Sequence, residues 1–320
     1  MVQLQQRSFR FRLRQPLQTA AGVLHERRGW LLRLQDENGR LGWGEVAPLA
    51  EDQLALCQMG LEDLSQDPSR QQLEAALTRS PAALGFGLGA ALAELDGLVG
   101  VPDEPWRQAP SPAWLLPAGE RMLEVLTSVL AQHGSQPVLT FKWKVAAAGD
   151  AAERRLLQQL LERLPATGRL RLDANAGWDR ATAQRWMTAL VSDPRFAWLE
   201  QPLPVVDQHG LNALARLGPV ALDESLDHDP SLRQSWQGWQ VRRPSQEGDP
   251  RPLLRELHAG APRRMLSTAF ETGIARRWLQ HLAALQWKGP TPAAPGLAPG
   301  WCPEGQLFSA DPAEVWRAAA

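Results

Sequence analysis

RLRLDANAGW (169–178) ends a short β-prone run in a carboxylate and then turns. FAWLEQPL (196–203) and VALDESL (220–226) do the same. The three acids, Asp173, Glu200 and Asp223, lie 27 and 23 residues apart. One strand, one helix and two loops occupy about that length in a βα-barrel. Taken singly, an acid after a strand reads as a turn or helix-capping residue. Three at unit spacing, all at carboxyl ends of strands, read as metal ligands, because barrel active sites form at that face. Carboxylate oxygens are hard donors that suit Mg²⁺, with Mn²⁺ as an alternative, better than zinc.

Upstream, VLTFKWKV (138–145) sets Lys142 and Lys144 at i, i+2. On a strand both side chains point the same way. Phe141, Trp143 and Val145 then form the helix-packing exterior, and the lysines face the barrel interior. A lysine among cations and a metal has a lowered pKa and can act as a base. A solvated strand face is the plain alternative. Asn175 either assists the metal or holds its turn. Gln201 and Glu224 follow ligands and are placed to orient them.

Outward from this core, strands are expected near 113–117, 138–144, 169–173, 196–200, 219–223, 238–242 and 263–268, with helices at 119–132, 150–164, 179–192, 206–216, 229–236, 250–259 and 271–286. Seven strand–helix units favour a barrel over an open sheet. The Pro-rich DEPWRQAPSP (103–112) marks a domain boundary. Before it lie strands at 7–15, 29–35 and 41–49, an Asn-Gly hairpin turn in QDENGR (35–40), and helices at 51–65, 69–79 and 84–99, an α+β pattern. The last helix carries small residues on one face for close packing. The expected division is a capping domain over 1–104, a barrel over 105–288, and a segment 289–320 that packs back toward the cap.

Composition narrows the function. Net charge is −1, so no global field points to nucleic acid or a membrane surface. No apolar run is long enough to span a bilayer. Cys57 and Cys302 are isolated and suit reduced, idle thiols. The six histidines form no zinc-hydrolase pattern. The Arg-rich, acid-free N-terminus slightly resembles a transit peptide, but Phe9, Phe11 and Leu13 alternate with polar residues as in a half-buried strand. The expectation is a cytoplasmic monomer. The chain has no Tyr and 14 Trp, a bias without a physical account.

KWK, LDAN, WLEQP and LDES, in that order, resemble the enolase superfamily and within it the o-succinylbenzoate synthases; GWGEVAPL (42–49) is similar to that family's cap. The resemblance covers nearly the whole chain. It implies a modified (β/α)7β TIM-type barrel, α/β in class, with an α+β N-terminal capping domain. A Lys or His base beside Mg²⁺ that holds an ene-diolate is the known pattern of that superfamily. By resemblance, Lys144 is the catalytic base, Lys142 its neighbour, and Asp173, Glu200 and Asp223 the metal ligands. The implied reaction is syn-dehydration of 2-succinyl-6-hydroxy-2,4-cyclohexadiene-1-carboxylate to 2-succinylbenzoate, in menaquinone or phylloquinone biosynthesis. LSTAFETG (266–273) looks like a seventh strand entering a helix, where Ser267, Thr268 and the helix start would take the substrate carboxylate. LQTAAGVLHERRG (17–29), with Thr19 and Gly22, resembles the mobile loop that closes over substrate.

One position departs from the pattern. The family carries a second lysine before a proline after the sixth strand, and WQVRRPS (239–245) has Arg243 there. Arginine is never deprotonated in proteins, so it cannot serve as a second base, but it can stabilise charge or stack on a ring. A register off by one, with Arg243 on the surface, is the plain alternative. Two other functions stand beside the dehydratase: a dipeptide epimerase or N-acylamino acid racemase, which needs a base on each face, and a non-catalytic barrel that binds an acid.

Overall fold

The computed structural model describes residues 2–19, 22–134 and 138–319. The chain forms two compact units, one of residues 1–110, 242–262 and 266–320, the other of 111–241 and 263–265.

The first unit begins with an antiparallel sheet of β1 (Gln3–Thr19), β2 (Gly22–Gln35) and β3 (Leu41–Val46). The β2–β3 turn is the expected one. Gly39 sits at φ 78°, and Asp36 Oδ1 accepts from the amides of Asn38 and Arg40 at 2.9 and 2.8 Å. The β1–β2 hairpin is longer than expected. Residues 17–19 and 22–29, read above as loop, are strand, and the register runs on to Thr19↔Gly22 after a slip between Arg12 and Leu17. Pro16 lies inside that slip. It has no N–H to give the ladder, so pairing skips it and resumes. Ala20 and Ala21 lie outside the described residues.

Helices α1 (Glu51–Glu62), α2 (Arg70–Leu77) and α3 (Ala82–Leu95) follow. The small residues of α3 let β3 lie directly on it: a Cβ added at Gly44 would stand 2.0 Å from the Gly87 carbonyl oxygen. No larger residue fits at that crossing.

The second unit is built of β4 (Trp114–Leu116), α4 (Arg121–His133), β5 (Thr140–Lys144), α5 (Asp150–Arg163), β6 (Arg169–Asp173), α6 (Arg180–Leu190), β7 (Phe196–Glu200), α7 (Gln208–Ala215), β8 (Val220–Leu222), α8 (Glu224–His228), α9 (Leu232–Ser235) and β9 (Trp239–Arg242). The helix expected over 229–236 begins only at Leu232, and a separate short helix, α8, lies before it. Asp229 turns its carboxylate onto the amide and hydroxyl of Ser231 at 3.0 and 2.7 Å, and Pro230 has no N–H to continue α8. After β9 come α10 (Arg251–His258), β10 (Arg264–Leu266), α11 (Gly273–Lys288) and α12 (Pro312–Ala318). Strands β4 to β10 form one sheet in chain order, and the pairs from β4 to β9 are parallel. This is the barrel sheet. Phe141 and Trp143, on the outer face of β5, join a buried apolar cluster with Leu126, Leu157, Leu160 and Trp186 from α4, α5 and α6. Burying each such side chain contributes roughly 1.5–3 kcal/mol. That packing turns Lys142 and Lys144 to the other face.

Candidate active site

Asp173 is the last residue of β6, Glu200 the last of β7, and Asp223 follows β8 directly. All three are buried, 1%, 0% and 2% exposed, and Asp173 pairs in register with both Lys144 and Glu200. The Lys142 ammonium lies 2.8 Å from Asp173 Oδ2 and 2.5 Å from Glu200 Oε1. Burial alone would lower the pKa of Lys142, but the two carboxylates outweigh it and raise the pKa above the ordinary value. Asp173 is the mirror case: burial opposes its charge, but Lys142 and Lys144 together hold its carboxyl below the usual range. Lys144, half-buried and two residues further along β5, has no hydrogen-bond or ion-pair partner among the described residues. One lysine is a locked counterion and the other is free.

The strand ends are held in unusual backbone. Ala146, Asn175, Ala176 and Gln201, each within three residues of a site side chain, have φ of 60°, 43°, 62° and 34°. Left-handed backbone at a non-glycine residue costs roughly 1–2 kcal/mol and needs support. Behind β5 the buried Glu153 accepts from the amides of Ala146, Ala147 and Ala148 at 2.9–3.0 Å. Gln201 is fully buried and saturated. It donates to Ser225 Oγ and the Leu203 carbonyl, and it accepts from the amides of Asp223 and Ser225. It therefore fixes the β7 and β8 ends to each other. Asn175 Nδ2 donates to Glu224 Oε1 at 3.0 Å, so it ties the β6 turn to the β8 turn.

Sequence reading missed a layer below. Arg171 lies two residues before Asp173, and its guanidinium sits 4.1 Å over the ring of Trp198, its register partner on β7. Trp198 Nε1 in turn donates to Glu200 Oε2 at 3.3 Å. Burial pushes Arg171 down to about 9, while Glu200 pulls it up. The i, i−2 spacing from Asp173 was the available signal.

The donor set fits a divalent cation. Of the three buried carboxylates, Asp173 and Glu200 share one ammonium, and among the described residues Glu224 Oε2 is buried with no hydrogen-bond partner. The Glu224 carboxyl is raised, by burial first and then by Asp173. The oxygens of Asp173, Glu200 and Asp223 do not yet converge. Among the described residues, only Glu104, His258 and His281 bring three metal-type donors within 4.8 Å of one another.

The remaining candidates fall in the first unit. Arg243 directly follows β9, and its amide donates to Glu247 Oε1 at 2.7 Å. The neighbouring Arg242 is buried and paired with Glu247 and Glu256. Ser267 and Thr268 are buried just after β10. The Thr268 hydroxyl donates to Glu271 Oε2 at 2.6 Å, and Ser245 holds the other Glu271 oxygen at 2.7 Å. Helix α11 does not begin there. Its cap is Thr272, whose amide and hydroxyl, with the Ala275 amide, donate to the buried Glu45 of β3. Those donors are spent on the protein's own carboxylate, so Ser267 and Thr268 stand apart from any free helix start. The side chains of Thr19 and Gly22 lie outside the described residues.

Residues 5–95 match the MenC N-terminal domain family, and residues 121–237 match the enolase C-terminal domain-like family. The o-succinylbenzoate synthase of Thermosynechococcus vestitus is 35% identical over 288 residues, 84% of this chain and 85% of that one. The o-succinylbenzoate synthase of Edwardsiella ictaluri is 29% identical over 317 residues, 95% and 93% of the two chains. The crystal structure of o-succinylbenzoate synthase from Thermosynechococcus elongatus, complexed with Mg in its active site, matches with a TM-score of 0.80 at 32% identity, over 99% of each chain. Relatives of that identity and coverage settle the lineage: the chain belongs to the o-succinylbenzoate synthase family of the enolase superfamily.

Proposed function

We propose that the protein dehydrates 2-succinyl-6-hydroxy-2,4-cyclohexadiene-1-carboxylate to 2-succinylbenzoate. The observation that carries this reading is the unequal lysine pair: Lys142 clamped between two carboxylates, Lys144 free beside them. Asp173, Glu200 and Asp223 would hold Mg²⁺, which when bound supplies positive charge against the substrate carboxylate as negative charge develops there. Mn²⁺ is expected to substitute.

Lys144, as the neutral amine, removes the proton α to the carboxylate. The resulting ammonium gives that proton to the leaving hydroxyl on the same face. Water departs, the ring double bond forms, and Lys144 returns to the amine. Lys142, its charge fixed by two partners, cannot shuttle protons. The resemblance assigns Ser267 and Thr268 to a substrate carboxylate, Thr19 and Gly22 to the substrate-covering segment, and Arg243 to the second ring face as a permanent cation. In this reading 1–104 is the cap, 105–288 the barrel and 289–320 the closing segment, and the enzyme works as a cytoplasmic monomer.

The test is an absorbance assay of dehydration with the purified protein, with excess chelator and after Mg²⁺ is restored. Turnover that is lost and regained supports the proposal. Failure to convert the cyclohexadiene acid at any metal concentration ends it.

A further inference from the structure

His281 is fully buried in α11, and its Nε2 has no hydrogen-bond partner. A buried ring nitrogen left without a partner is destabilising and calls for an explanation. Its nearest acidic atom is Glu104 Oε1 at 3.7 Å, too far for a hydrogen bond. A third donor is at hand in His258, the exposed last residue of α10. One donor atom from each of the three residues lies within 4.8 Å of the others. We propose that Glu104, His258 and His281 form a second metal site, for a borderline transition ion such as Zn²⁺. None of the three belongs to the lysine–carboxylate set.

Two imidazoles and a carboxylate are the donor types of an open zinc site with a fourth position for water. A tetrahedral zinc ion at the usual 2.0–2.2 Å would set its ligand atoms about 3.3 Å apart. The His281–Glu104 pair is near that already. His258 has to close the rest, and as an exposed helix-terminal side chain it is free to do so. The other two are anchored. Leu253, Leu254 and Leu257 of α10 share a core with Trp278, Leu279 and Leu282 of α11. The backbone of Glu104 is fixed by bonds with Gly100 and Val101 at 2.8–3.3 Å.

Burial lowers the pKa of His281 to about 4, so at neutral pH its ring is the uncharged form that binds metal. Two groups of one neighbour, Arg107, oppose the ion. The Arg107 amide donates to His281 Nδ1 at a long 3.4 Å, and coordination through Nε2 moves the ring proton to Nδ1 and gives that bond up. The Arg107 guanidinium holds Glu104 Oε1 through two hydrogen bonds, at 3.1 and 2.9 Å, but leaves Oε2 without a donor among the described residues. Its side chain is 30% exposed and can turn to water.

The test is a calorimetric titration of the full-length protein with Zn²⁺ in saturating Mg²⁺, beside visible spectra with Co²⁺. The His258→Ala and Glu104→Gln variants are run in parallel. Zinc can also enter the carboxylate site, so the difference between proteins is what is read. The parent should bind one equivalent more than His258→Ala, or bind it at least ~10-fold more tightly, the least that loss even of an outer partner costs. Its Co²⁺ spectrum should show tetrahedral bands that both variants lose. Equal stoichiometry and affinity in all three proteins would overturn the proposal, and would leave a water as the partner of Nε2.

Discussion

Glu45 in the first unit and Glu200 in the second are equally hidden from solvent, at 1% and 0% exposure. Their surroundings treat the charge in opposite ways. Glu45 is saturated by Thr272 and the start of α11, with Arg27 nearby, yet burial pushes its carboxyl up to about 7. Arg27 spends its hydrogen bonds on the Ala47 and Pro48 carbonyls instead. Glu200 has an ammonium at 2.5 Å, and its neighbour Asp173 is pulled down by two lysines. A carboxylate closed by neutral donors ties elements together and tolerates a proton. Carboxylates that face an ammonium group and keep oxygens to spare are poised to hold something else.

The largest effect should come from the free lysine. Lys144→Ala should cut dehydration by about 10²–10⁴-fold, the range for general acid–base catalysis, with Mg²⁺ binding retained by calorimetry. Activity within a few-fold of the parent would move the base elsewhere and dissolve the distinction between the two lysines.

Next is Lys142→Met, which strips Asp173 and Glu200 of their counterion. Breaking one side of a buried pair costs about 3–5 kcal/mol. The loss, read as the urea midpoint without metal, should be largely recovered by Mg²⁺. A variant as stable as the parent without metal would show that the carboxylates do not need the charge.

The closed cluster should reveal itself through pH. The folded pKa of Glu45, about 7, lies above the ordinary 4.5. Between those values the native state keeps a proton that the unfolded chain has released, so stability falls as pH rises through the window, by about 3 kcal/mol in all. Glu94, pushed up to about 7 by burial, acts in the same direction. Denaturant unfolding should therefore show greater stability at pH 5.5 than at pH 8. Glu45→Gln should flatten part of that slope and leave dehydration largely unchanged. An unaltered slope would mean that Glu45 stays ionised in its cage.

Arg243→Lys should have the smallest effect. Dehydration should stay within a few-fold, because both residues carry positive charge. Deuterium exchange at the α-carbon of each enantiomer of an N-succinylamino acid checks the one-base reading. Exchange with inversion in the parent would mean a second base, and the role assigned to Arg243 would fall.

Much of this was legible in the sequence because it is local. The strands carrying the candidate ligands end where a β-prone run meets an acid, and β6 and β7 occupy the residues expected of them, 169–173 and 196–200. The lysine pair was legible because its alternate residues, Phe141 and Trp143, are large and apolar. What escaped depends on partners far along the chain. Glu45 looked like one acid within an apolar strand, and its partner Thr272 lies 227 residues away. The hairpin of β1 and β2 was cut short because 17–29 was read as a loop by resemblance, whereas its pairing resumes after a single slip. The late start of the helix expected over 229–236 turned on an Asp side chain that competes with the helix, which periodicity does not report.

Lys142 carries a consequence for the life of the protein in the cell. By lying between Asp173 and Glu200 it acts as a provisional cation supplied by the chain itself. The newly made polypeptide can complete this end of its sheet before any ion arrives. Scarcity of the metal should then idle the enzyme without sending it to proteases, so that its abundance and its activity are set by separate supplies.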